Sequence, residues 1–371
     1  MTNKTTPKKL FNNLMRLADE NEAFYFSDQN ITINGKDYII RSFTYRLASW
    51  SDFQDNINLD SRESRGTAFY TEADKNDWEL FCRAYPKFWN LGEGIPVDDF
   101  VSEHKPYASF EKMDGSLILF GRINGKVIAK SKTSINSDQA KMAQDIYDNN
   151  KSIKSAVNYM INLGITPVFE LVGPDNVIVL RYDENKLVLL GQVDNDNGNV
   201  VPAGLLEKRK YSVDVAEVYK HNWDELLEIK ETSKPNIEGF VVLTEDGEMV
   251  KVKVNSYIQL HHLKDSVNNV KSLALLILDD NLDDLIGSFQ DDQKTVDYIV
   301  EMQEKIGHKY NHLVAMVEEY TNKNKELDRK EFAIKTQKEM KPFMSLCMSL
   351  YLGKEVNFKE FFMKTKMYEN D

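Results

Sequence analysis

Lys112-Met113-Asp114-Gly115-Ser116 lies between two apolar runs, Tyr107 to Phe110 and Leu117 to Phe120. The arrangement sets an amine at the mouth of a strand-turn-strand, where it is either a surface lysine beside an Asp-Gly turn or a group held out for chemistry. Further on, Met249, Lys251 and Lys253 alternate with Val250, Val252 and Val254. Strand geometry therefore points the two ammonium groups to one face and the valines to the other. Such a pair is either the solvated outer face of an antiparallel sheet or, with Glu238 and Gly239 opposite it in the hairpin, part of a surface shared by an acid and two bases. Glu170 interrupts the apolar strand Val168 to Val172. A carboxylate there is at a strand end, in a satisfied buried pair, or a ligand, and the last two need a cation or metal nearby because charge is rarely buried unpaired. No Gly-rich phosphate loop, Ser-His-Asp series or Cys-His pair is visible, and His308 and His312 share a helical face with Glu304 in an order that is not His-Glu-x-x-His.

The elements that must position these groups read as two domains. From Phe24 to about Val254, short β-branched and aromatic runs are broken by the hairpin dipeptides Asn34-Gly35, Asn124-Gly125 and Asp246-Gly247, the signature of antiparallel sheet. An amphipathic helix precedes them at 8–21, and a second is expected over 137–163, where Met142, Ile146, Ile153, Val157 and Ile161 recur at helical spacing. After Tyr257 the strand signals stop, and Ile299, Met302, Ile306, Leu313, Met316 and Val317 predict a long helix over 296–320. The fold class is α+β followed by an all-α domain, with the boundary at 255/256.

Length and composition agree. A chain of 371 residues suits two or three domains, and 42% hydrophobic with 29% charged residues is globular composition. Two cysteines cannot build a disulfide framework or a thiolate metal cluster, which fits a reducing compartment, the cytoplasm. The first nine residues lack an apolar h-region and no 18-residue apolar run exists, so neither secretion nor a membrane partner is expected. The net charge of −12 argues against a non-specific nucleic-acid coat, but the charge is segregated, so the total does not decide the question. Residues 126–132 carry three lysines and no acid, whereas 279–292 carry six aspartates and no base.

In their order and separation, Lys112-x-Asp114-Gly115, Phe169-Glu170, Ile237-Glu238-Gly239 and Lys251-Val252-Lys253 resemble nucleotidyl-transferase motifs I, III, IV and V of ATP-dependent ligases and capping enzymes. Ser64-Arg65-Gly66, Lys87-Phe88-Trp89-Asn90-Leu91, Lys130-Ser131-Lys132 and Met348-Ser349-Leu350-Tyr351 narrow the likeness to the bacteriophage RNA ligase 1 family, the tRNA-repair ligases of T-even-like phages. The resemblance implies an adenylyltransferase domain with an ATP-grasp-like ligase core over 1–255 and a helical RNA-specificity domain over 256–371. It implies an ATP-dependent RNA ligase, a monomer of the host cytoplasm if phage-encoded, joining RNA 3′-hydroxyl and 5′-phosphate ends, those of tRNA in particular.

On the same resemblance Lys112 is the nucleophile that forms lysyl-AMP. Tyr45, Arg65, Lys87, Lys132, Glu170, Lys251 and Lys253 bind ATP. Glu238 organises Mg²⁺, Asp283 and Asp284 hold a divalent cation in the helical domain, and Tyr257 serves the ligation step. An unperturbed lysine is protonated at neutral pH, but neighbouring cations and a bound metal would free its lone pair. The segment Gly191-Gln192-Val193-Asp194 departs from the family, which has an arginine there. A DNA ligase or capping guanylyltransferase is the rival enzyme, disfavoured because helices rather than an oligonucleotide-binding barrel follow motif V. An idle RNA-binding relative is disfavoured by intact Lys112, Glu238 and Lys251.

Overall fold

The computed structural model describes residues 5–206, 212–279, 282, 285, 286, 289 and 293–369. They divide into a unit ending at Ile258 and a unit beginning at Gln259. The first helix, Pro7–Glu20, starts with a proline, whose missing N–H is no loss at that position. Its buried Leu10, Leu14 and Leu17 pack on Phe24, Phe43, Phe53 and Phe69. Phe53 comes from the short helix Trp50–Asp55, and the other three belong to the first antiparallel sheet, formed in order by β1 (Phe24–Ile33), β2 (Lys36–Tyr45), β3 (Ala68–Glu72) and β4 (Glu79–Cys82).

The remaining strands are β5 (Trp89–Asn90), β6 (Pro106–Glu111), β7 (Ser116–Ile123), β8 (Lys126–Ser131), β9 (Ile165–Val172), β10 (Lys186–Asp194), β11 (Val200–Pro202), β12 (Val218–Tyr219), β13 (Gly239–Thr244) and β14 (Met249–Lys253). They make two more five-stranded sheets, ordered β11-β10-β9-β7-β8 and β12-β6-β13-β14-β5. Among the described residues the strands pair antiparallel except β14 with β5, and an isolated parallel bridge joins Leu189 to Val215. The Asx-Gly dipeptides make the hairpins, as at Asn34 and Gly35, whose φ angles of 51° and 76° match the twist of the flanking strands.

The expected helix over 137–163 is instead two, Asp138–Asn149 and Lys151–Asn162. Asn150 is extended, with φ −106° and ψ 110°, and its side chain accepts from the Ser152 and Ile153 N–H groups as the second N-cap. Apolar periodicity misses the break because both helices press on one surface. Ala143, Tyr147, Ile153, Val157 and Met160 cover Ile118, Phe120, Phe169 and Leu171 of the second sheet. On the other face of that sheet Leu119, Ile123, Val168 and Val193 meet Tyr38, Ile40 and Phe81 of the first. In the third sheet Phe240, Val242, Val250 and Val252 are capped by Trp223 and Leu226 of helix Trp223–Thr232.

The second unit is helical in its described residues. After the end of helix Asn255–Asn268 come Val270–Leu278, Gln293–Lys323, Arg329–Glu339, Met344–Tyr351 and Phe358–Lys364. Ile306, Leu313 and Val317, at helical spacing, form its core with Phe332, Leu346, Cys347 and Phe362. Among the described residues no helix is long and apolar enough to cross a membrane.

Candidate active site

Strand alternation decides which side chains reach the space between the second and third sheets. On β9, Phe169 and Leu171 point to the helices, so Val168, Glu170 and Val172 face the other way. On β14, Val250 and Val252 point to helix Trp223–Thr232, so Met249 and Lys251 face inward. The result is a cavity of about 240 Å³ whose polar lining is Arg65, Glu111, Lys112, Glu170 and Lys251. Tyr85, Phe88, Phe110, Leu190, Val241 and Met249 supply apolar walls. An aromatic and aliphatic slot with one charged end suits a flat, partly apolar ligand that carries anionic groups.

At that end Glu238, only 3% exposed, accepts from two lysines. Lys112 Nζ lies 2.6 Å from its Oε2, and Lys253 Nζ lies 2.9 Å from its Oε1. Backbone pairing holds this triad together. The Lys112 N–H donates to the Gly239 carbonyl at 2.9 Å, and Gly239 pairs across the hairpin with Lys253. Gly239 has φ +138°, and a Cβ there would sit 2.0 Å from the Val252 carbonyl oxygen, so only glycine lets the chain place Glu238 between the lysines.

Asp114 organises the turn after Lys112. It is 2% exposed. Its Oδ2 accepts from the Val179 and Leu180 N–H groups at 2.8 and 2.6 Å, and its Oδ1 from the Tyr257 hydroxyl at 2.7 Å. Gly115 completes the turn, because a Cβ there would lie 2.2 Å from the Leu171 carbonyl oxygen. The carboxylate of the Lys-x-Asp-Gly segment thus ties the lysine-bearing turn to the segment after β9 and to Tyr257, four residues beyond β14.

The charged groups perturb one another. Burial, reinforced by Arg65, Lys87 and Lys112, depresses Lys251 to about 6. Burial also raises Glu170 to about 7, with Lys112 opposing and Glu238 adding to the rise. Lys87 and Lys132 are both lowered, first by burial and then by neighbouring cations, among them Arg65. Burial raises the Tyr45 phenol, and Arg65 opposes it. These cations rest on aromatic faces. Lys132 Nζ is 4.5 Å from the Tyr45 ring centre, Lys251 Nζ is 5.0 Å from that of Phe88, and the Arg65 guanidinium is 5.5 Å from Phe88 on the same measure. An anion placed among these groups would relieve the mutual repulsion that lowers their pKa values.

Of the residues singled out from sequence, Arg65, Lys112, Glu170 and Lys251 line the cavity and Glu238 and Lys253 join it through the ion pairs. Tyr45, Lys87 and Lys132 make the neighbouring cation–aromatic cluster, in which Lys87 also lies 3.5 Å from Glu93. Tyr257 is 2% exposed and does not line the cavity. Asp283 and Asp284 lie outside the described residues. Sequence reasoning did not single out the walls Tyr85 and Leu190, whose only signal was apolarity. Glu170 and Glu238 are oxygen donors of the kind Mg²⁺ takes, and no group of three or more His, Cys, Asp or Glu forms a cage among the described residues. A cation that keeps waters and shares substrate phosphates fits this donor set.

Known proteins match both units. The family described as RNA ligase matches residues 63–261, and the C-terminal domain of T4 RNA ligase 1 matches residues 264–366. A protein of Thermovibrio ammonificans named "Putative RNA ligase" is 25% identical over 243 residues, 61% of this chain and 60% of its own length. The RNA ligase of Rhodothermus phage RM378 is 22% identical over 284 residues, 59% of this chain and 64% of its own. The chain thus spans less than two thirds of either relative. A solved archaeal ATP-dependent RNA ligase aligns at TM-score 0.46 and 12% identity, covering 84% of this chain and 83% of that one.

Proposed function

The chain belongs to the RNA ligase family, which matches more than half of it, and from that premise we propose that it joins RNA 3′-hydroxyl and 5′-phosphate ends with ATP. The observation that carries the reading is Lys112 at the charged end of the cavity, paired with a buried carboxylate and surrounded by phosphate-ready cations. Lys112 Nζ attacks the ATP α-phosphorus. The N–P bond forms, the bond to the bridging oxygen breaks, and pyrophosphate leaves. An RNA 5′-phosphate oxygen then takes the adenylyl group, returning the electron pair to Lys112. A 3′-hydroxyl attacks the activated phosphate and expels AMP.

Each step gathers charge on phosphoryl oxygens, and the residues divide that work. Lys251 and Lys253 meet the α-phosphate, while Arg65, Lys87 and Lys132 hold the outgoing pyrophosphate beside Tyr45. Tyr85, Phe88 and Met249 give the base an apolar slot. Glu238, with Glu170 behind it, would hold Mg²⁺, which supplies charge neutralisation when bound. The metal would also compete for the carboxylate that accepts the Lys112 hydrogen bond. Asp114 and Tyr257 orient the turn and act on the ligation step through it. Residues 256–371 choose the RNA, with a tRNA break as substrate.

Incubation with radiolabelled ATP or GTP, followed by denaturing electrophoresis, tests the reading. ATP alone labels the native protein, and Lys112→Ala stays unlabelled with an unchanged circular dichroism spectrum. Labelling by GTP would indicate capping chemistry, and an adenylylated Lys112→Ala protein would refute the assignment.

A further inference from the structure

Lys130, on β8, is fully buried and absent from the roles assigned above. Among the described residues its ammonium has no carboxylate partner. It donates instead to three backbone carbonyls, Gly66 at 3.0 Å, Ser131 at 3.0 Å and Lys132 at 2.7 Å. Three acceptors use all three ammonium protons, which is how a charge is retained in a place where burial lowers its pKa to about 8. Two of the acceptors belong to different segments. Gly66 directly follows Arg65, and Lys132 carries the cation that lies over the Tyr45 ring. The segments approach so closely that a Cβ on Gly66, where φ is +105°, would fall 2.7 Å from the Lys132 carbonyl oxygen.

We infer that Lys130 is a positioning residue that sets the spacing of Arg65 and Lys132, and through them the grip on the β- and γ-phosphates of the nucleotide. The ammonium touches no substrate. It clamps the two backbones from which the phosphate-holding cations project, and Gly66 lets them close on each other. The inference rests on the functional reading above and narrows it to one step. A pre-adenylylated RNA end carries no pyrophosphate, so sealing it does not call on that grip.

The test compares the native chain with Lys130→Met, which keeps the length of the side chain and removes all three donors. Lysyl-AMP formation is measured against ATP concentration, and sealing is measured with pre-adenylylated RNA. The expected result is an ATP KM raised about tenfold or more, a smaller change in kcat, and sealing within about twofold of native. Gly66→Ala presses on the same contact from the other side and gives the same split if Lys130→Met folds poorly. An unchanged KM, or losses of the same size in both reactions for both variants, overturns the positioning role. Failure of the native chain to form lysyl-AMP at all would overturn the functional reading instead, so the two are told apart.

Discussion

Lys251 is depressed from its ordinary 10.5 to about 6 by burial and by Arg65, Lys87 and Lys112. At pH 7 its amine is therefore about nine-tenths neutral, whereas a triphosphate placed against it restores the ammonium. Nucleotide binding then takes up about 0.9 proton at pH 7 and about one at pH 8. Protonating the amine beforehand costs about 1.4 kcal/mol at pH 7 and about 2.7 kcal/mol at pH 8, so affinity falls about tenfold for each unit from pH 7 to 9. Below pH 6 the amine is already charged and the dependence vanishes. Lys251→Met removes the titrating group. Calorimetric titration with the α,β-methylene analogue of ATP, in buffers of differing ionisation enthalpy, counts the protons without turnover. The variant should take up about one proton fewer than the native chain at pH 8 and lose one power of ten per unit from its pH dependence. Equal uptake by both would refute the reasoning, because another group would then be answering the phosphates.

Glu170, raised to about 7, is the opposite case. Between pH 4.5 and 7 the unfolded chain ionises it first, so its contribution to stability falls as pH rises, by about 3 kcal/mol in full. Urea unfolding should show Glu170→Gln gaining on the native chain between pH 5 and pH 8, and parallel profiles would contradict this. Gly239→Ala forces a Cβ against the Val252 carbonyl at positive φ. It should lose about 2 kcal/mol of stability together with lysyl-AMP formation, and native stability by denaturant titration would show that the backbone yields. Removing residues from 266 onward should preserve lysyl-AMP formation and the joining of short single strands while weakening repair of a broken tRNA stem-loop. Equal loss on both substrates, in a truncation folded by circular dichroism, would mean that the helical unit does not select the RNA.

What was legible in the sequence is what local physics encodes. Asn-Gly and Asp-Gly dipeptides make hairpins wherever they stand, period-two alternation splits Lys251 from Val250 and Val252, and helical spacing puts Ile306, Leu313 and Val317 on one seam. Lys112, Glu238 and Lys251 were visible because phosphoryl chemistry needs those types and the motifs carry them in order. Tertiary structure decided the pairings across distance. Nothing in residues 112–116 says that Asp114 will meet the Tyr257 hydroxyl, or that one carboxylate will hold both Lys112 and Lys253. Lys130 reads like any strand lysine until Gly66 and Lys132 close around it. Burial is a property of the packed sheets, and it turns three lysines of similar sequence context into different groups. Lys253 keeps a carboxylate, Lys130 keeps three carbonyls, and Lys251 is left among cations with its proton displaced until a phosphate arrives.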